Sequence, residues 1–145
     1  MTNHEEPVLI AGQHILIECE GRHAHLSTAK MESLLKRAAR DAGATILASH
    51  FHRFGTSNGL TGVLLLAESH ITVHTWPEHD YAAFDLFMCG ICDPQKAGET
   101  IINGATTVHI KTHSITRGIP SAPLVLPVGA GNEQKTSLLF DRDSL

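Results

Sequence analysis

Cysteine is scarce in this chain, with three residues in 145, and neither a long apolar run nor a basic excess is present. A small, odd cysteine count behind an amino terminus (MTNHEEPV) without the basic-then-apolar order of a secretory signal argues for reduced thiols and against a disulfide framework. The most apolar stretch, residues 62–67, is far short of the roughly 20 residues that span a bilayer, so a cytoplasmic protein without a membrane partner is expected. Eleven Lys and Arg against 15 Asp and Glu leave a formal charge of −4, which supplies no basic field for phosphate backbones and excludes nucleic acid as the expected partner. What is abundant is histidine, 11 residues, yet these are scattered and several fall in strand-like runs. No metal site is expected from them.

The length and the 42% hydrophobic content suit one domain spanning residues 1–145 with a single core. Alternating apolar residues predict strands over residues 14–19, 45–54, 61–67, 71–76, 81–89 and 106–116. Met31, Leu34, Leu35 and Ala38 recur at helical spacing over residues 28–41, and Gly43 ends that helix. Asp93 and Pro94 open a second helix running to about Asn103. The order βα, several β, then αβ predicts an α+β two-layer sandwich, an antiparallel sheet with two helices on one face. The uncovered face of such a sheet needs burial, and a second copy of the sheet in a homodimer is the natural cover. Residues 120–145 hold three of the six prolines and no clear period, and read as an extended arm or loose tail.

Chemistry concentrates in residues 68–90, ESHITVHTWPEHDYAAFDLFMCG. A serine, Ser69, stands at a sharp junction between two predicted strands. His74 follows five residues later, and Cys89 closes the next strand. In a regular strand His70, Thr72, His74 and Trp76 share one face, and a fold-back at the junction would bring His74 to Ser69. A serine hydrolase is disfavoured because residues 67–71, AESHI, lack the glycines of the nucleophile elbow. Cys89 and Cys92 form C-G-I-C ahead of a helix, which leaves a thiol redox module or half a zinc site as alternatives.

The same segment resembles the short prokaryotic S-adenosylmethionine decarboxylase proenzymes, whose hallmark looks like ESHxxxHTWPExxYAAxDxFxCG. The likeness extends upstream through GATILASHFHRF and downstream through DPQKAGETI, about two thirds of the chain. The resemblance implies self-cleavage between Glu68 and Ser69 into residues 1–68 and 69–145. Ser69 would then become a covalent pyruvoyl group, the cofactor that condenses with the substrate amine as a Schiff base. By the same likeness His74 is the processing base, Cys89 the proton donor to the carbanion left by carbon dioxide, and Glu78 a ribose contact. Phe54 is the candidate for stacking on the adenine. The implied product supplies the aminopropyl donor of spermidine biosynthesis.

Three positions depart from the pattern. Thr61 stands where the family has a serine that supports processing. Residues 55–62, GTSNGLTG, replace a loop that usually looks like PYGVSG, and Gly12-Gln13-His14 replaces GRH. Since relatives act on ornithine or arginine, those substrates are the alternative to S-adenosylmethionine. Trp76 and Phe84 are expected in the core, Cys92 as a small buried residue, and His50 and His52 in packing or substrate-site polarity. His109 and His113 point the same way but stand too far apart in a strand to share a metal.

Overall fold

A computed structural model describes residues 9–119, so the expected arm at 120–145 lies outside the described residues. The strands are β1 (Leu9–Gly21), β2 (Ile46–Arg53), β3 (Leu60–Leu66), β4 (Ser69–Trp76), β5 (Tyr81–Met88) and β6 (Thr107–Ile119). The helices are α1 (Thr28–Asp41) and α2 (Pro94–Asn103). All six strands join one antiparallel sheet in the order β2-β3-β4-β5-β1-β6.

Local chemistry explains where the helices begin and end. Ser27 accepts a hydrogen bond from the Lys30 amide at 3.2 Å, supplying one of the acceptors that a helix amino terminus leaves open. After Ala42, Gly43 takes φ 78°, a left-handed conformation that releases the chain from α1 at little steric cost. At α2 the Asp93 carboxylate accepts from the Gln95 and Lys96 amides, with Pro94 in the first turn. Met31, Leu34, Leu35, Ala38 and Ala39 of α1 and Ala97 and Ile101 of α2 are buried, and both helices lie over one face of the sheet.

That face carries Ile15, Ile17, Cys19, Leu64, Ile71, Val73, Phe84, Leu86 and Met88. Burial pushes the Cys19 thiol up to about 11, making it an inert apolar group. His23, in a 3-10 turn at Arg22–His25, is fully buried and donates from Nε2 to the Ile101 carbonyl at 2.6 Å. Burial holds its pKa below the usual histidine value.

The expected two-layer sandwich with both helices on one face is what forms. β1 outruns its predicted limits at both ends and β6 at its carboxyl end because they pair with each other along almost their whole lengths, which supplies ladder bonds where side-chain alternation is weak. Two 3-10 turns, Arg22–His25 and Pro77–His79, were not predicted. Phe84 is core as expected, but Trp76 is 40% exposed and stacks on Tyr81, because period two places it with His70, Thr72 and His74 on the uncovered face. Leu65 and Ile115, 49% and 47% exposed, leave that face partly apolar.

Candidate active site

β3 hands over to β4 through a two-residue turn, Ala67 and Glu68, so that Ser69 is the first residue of β4 and pairs with Leu66 on one side and Met88 on the other. Its φ is 149°, a conformation rare for a residue with a Cβ. The bond before it is held from two directions. The Glu68 carbonyl oxygen accepts from the Cys89 amide at 3.1 Å and from the Cys89 thiol, also at 3.1 Å. The Glu68 carboxylate accepts from the Thr45 amide at 2.9 Å, which holds it below the usual carboxylate range. Two donors on one carbonyl beside a hydroxyl nucleophile polarise its carbon for attack.

Gly12 is why Cys89 can come so close. A Cβ at Gly12 would run into the Met88 carbonyl and the Cys89 Cα, so only glycine lets β1 pass this strand end. Cys92 is part-buried against the core as expected, and its thiol is pushed up by burial and then by the neighbouring Glu68 and Cys89. A redox module needs a depressed thiol pKa at a helix amino terminus; here the Asp93 carboxylate occupies the α2 amides instead.

The other sequence candidates gather elsewhere. Thr61 and His74 are cross-strand neighbours, with Thr61 Oγ1 3.2 Å from His74 Nδ1. Trp76 lies two residues along the same face, and exposed Glu78 sits in the turn that follows. Phe54, just past β2, packs edge-on against His52 at 4.8 Å between ring centres. These residues occupy the end of the sheet where β2 and β4 finish, whereas Ser69 and Cys89 occupy the opposite end. The expected fold-back of His74 onto Ser69 does not occur. β4 is regular from Ser69 onward, and five residues at 3.3 Å each separate the two by about 16 Å within one chain.

One constellation at the Ser69 end was missed in the sequence. His14 on β1, His70 on β4 and Asp85 on β5 converge on the uncovered face, each offering a polar atom within 4.8 Å of the other two. His14 Nε2 contacts the Asp85 carboxylate directly. Such a trio has the composition of a metal site, although none was expected. The three residues lie 56 and 15 positions apart along the chain, so only the strand order β4-β5-β1 reveals their contact.

Residues 13–118 match the sequence model of S-adenosylmethionine decarboxylase. An S-adenosylmethionine decarboxylase proenzyme from Thermotoga maritima is 43% identical over 119 residues, covering 75% of this chain and 90% of the relative. One from Hydrogenobaculum sp. is 40% identical over 113 residues, covering 74% and 82%. The crystal structure of the adenosylmethionine decarboxylase from Aquifex aeolicus VF5 superposes with a TM-score of 0.68 at 36% identity, covering 78% of this chain and 94% of that one. A polarised Glu68 carbonyl beside Ser69, the paired Thr61 and His74, and a match through most of the described fold together place this chain in the S-adenosylmethionine decarboxylase family.

Proposed function

We propose that the chain is a proenzyme that cleaves itself between Glu68 and Ser69 and then decarboxylates S-adenosylmethionine, supplying an aminopropyl donor for spermidine synthesis. The observation that carries this reading is the pair of Cys89 donors on the Glu68 carbonyl, 3.1 Å each, next to a serine in a rare backbone conformation. Attack by the Ser69 hydroxyl on that carbonyl gives an oxyanion that both donors meet. Breaking the Glu68–Ser69 amide also relieves the constraint at φ 149°. A pyruvoyl group made from Ser69 supplies the ketone and electron sink that decarboxylation needs and no ordinary side chain provides. Cys89, already against this position, is placed to hand a proton to the carbon that loses carbon dioxide.

His74, with Thr61, is the processing base, and it acts on the Ser69 of another protomer. Within one chain about 16 Å of strand lies between them. Two sheets packed face to face about a two-fold axis, with their uncovered faces together, bring the Thr61–His74 end of one onto the Ser69–Cys89 end of the other. The half-exposed Leu65, Ile115 and Trp76 on that face support such a homodimer. Phe54 and Glu78 belong to the Thr61–His74 end, where they would reach the adenine and ribose of a nucleoside substrate. The names of the relatives support S-adenosylmethionine over ornithine or arginine.

Intact mass of the purified protein tests the reading. Two chains are expected, 1–68 and 69–145, the second bearing a ketone that borohydride reduces, with carbon dioxide released from S-adenosylmethionine. A wild-type chain that stays whole on long incubation sinks it, and Ser69→Ala is expected to stay whole while folded.

A further inference from the structure

Cleavage at Glu68–Ser69 has two proton-abstraction steps, and the geometry supplies a separate imidazole for the first. The acyl shift must take the proton from Ser69 Oγ, whereas the later elimination must take one from Ser69 Cα. His74 is remote from Oγ in its own chain. The atom that does face Oγ is Nδ1 of His70, at 3.0 Å. That ring is held on the uncovered face, edge-on to His14 at 6.4 Å and tilted against Phe87 at 6.2 Å between centres. Asp85, contacted by His14, stands within 4.8 Å of it and gives the site a negative charge suited to a developing imidazolium.

We propose that His70 is the base of the acyl shift: its Nδ1 accepts the Ser69 hydroxyl proton while Oγ bonds to the Glu68 carbonyl carbon. The resulting oxyanion takes hydrogen bonds from the amide and thiol of Cys89. His70 then returns the proton to the Ser69 nitrogen, the carbon–nitrogen bond breaks, and an ester with a free amine remains. No oxidant or further reactant enters. This inference rests on the self-cleavage reading, and it divides labour between two histidines, His70 for the ester and His74 for the elimination.

Hydroxylamine, which cuts esters and spares amides, separates the steps. Freshly translated wild type, His70→Ala, His70→Gln and His74→Ala chains are followed by intact mass with and without hydroxylamine, each checked for a cooperative melt. Wild type is expected to cleave, and His74→Ala to accumulate a full-length chain that hydroxylamine cuts at residue 68. Both His70 variants are expected to remain full-length and hydroxylamine-resistant, with cleavage slowed about 100-fold, the scale of a lost general base. Added imidazole is expected to restore part of the rate in His70→Ala. His70→Gln keeps a polar group of similar size, so it reads the loss of the base should the alanine variant fail to fold. If wild type cleaves and the folded His70 variants cleave within a few-fold of it, or accumulate the ester, His70 is not this base. If wild type itself stays whole, the self-cleavage reading falls, and this inference with it.

Discussion

The thiol of Cys89 donates to the carbonyl oxygen of Glu68 across 3.1 Å, although 21 residues separate them in the chain. One side chain thereby touches the bond proposed to be cut, next to the serine proposed to become the catalytic group. Replacing Cys89 by Ala leaves its amide donor and removes the thiol. Cleavage is expected to slow by roughly 10-fold to 100-fold, toward the cost of one oxyanion donor. Cys89→Ser keeps a donor and is expected to process faster than Cys89→Ala, while both release carbon dioxide from S-adenosylmethionine far more slowly than wild type. A time course of intact mass and a carbon dioxide assay give the two readouts.

The separation of Ser69 from His74 along β4 makes a sharp prediction. Ser69→Ala and His74→Ala chains are each expected to stay whole when expressed alone. Expressed together, they are expected to form a mixed dimer with one complete site on the proposed arrangement. The His74→Ala chain is then expected to be cleaved by the partner's His74, and the Ser69→Ala chain to remain intact. Mass spectrometry of differently tagged chains decides this, and cleavage of neither chain would remove the shared-site arrangement.

Gly12 is where a methyl group has no room. Gly12→Ala drives a Cβ into the Met88 carbonyl and must shift β1 or the Cys89 strand end. Destabilisation of about 1–3 kcal/mol is expected, the usual cost of overpacking, together with slowed cleavage because the donors on Glu68 move. Thermal melting and the cleavage time course would both report it.

His23 couples stability to pH. Its ordinary pKa is 6.5, and burial lowers it in the folded protein. Below pH 6.5 the unfolded chain therefore binds a proton that the folded chain refuses, so stability falls as the pH drops through that window. A chain with His23→Gln is expected to lose less melting temperature between pH 7 and pH 5 than the parent, in a calorimetric comparison of the two. An equal slope in both chains would show that His23 binds its proton equally in the folded and unfolded states, so that burial does not lower its pKa.

Much of the fold was legible because side chains announce it locally. The period of Met31, Leu34, Leu35 and Ala38 marks α1, and Asp93 and Pro94 mark the start of α2 with the bonds that such caps make. Alternation gave the strands, though not the length of β1 and β6, whose ends rest on backbone pairing with each other. Trp76 was misplaced because hydrophobicity says that a residue wants cover and not which surface provides it.

The site divides the same way. The sequence by itself determined the candidates, since Ser69, His74 and Cys89 lie in one contiguous motif, and its resemblance to the family implies their roles. Only the tertiary structure decided who meets whom. An extended strand holds residues five apart at a distance, so Ser69 and His74 are near in sequence and far in space. Antiparallel pairing does the reverse, bringing Cys89 to Glu68 and gathering His14, His70 and Asp85 beside the serine. Strand order and register are properties of the whole sheet, and no single stretch of the chain encodes them.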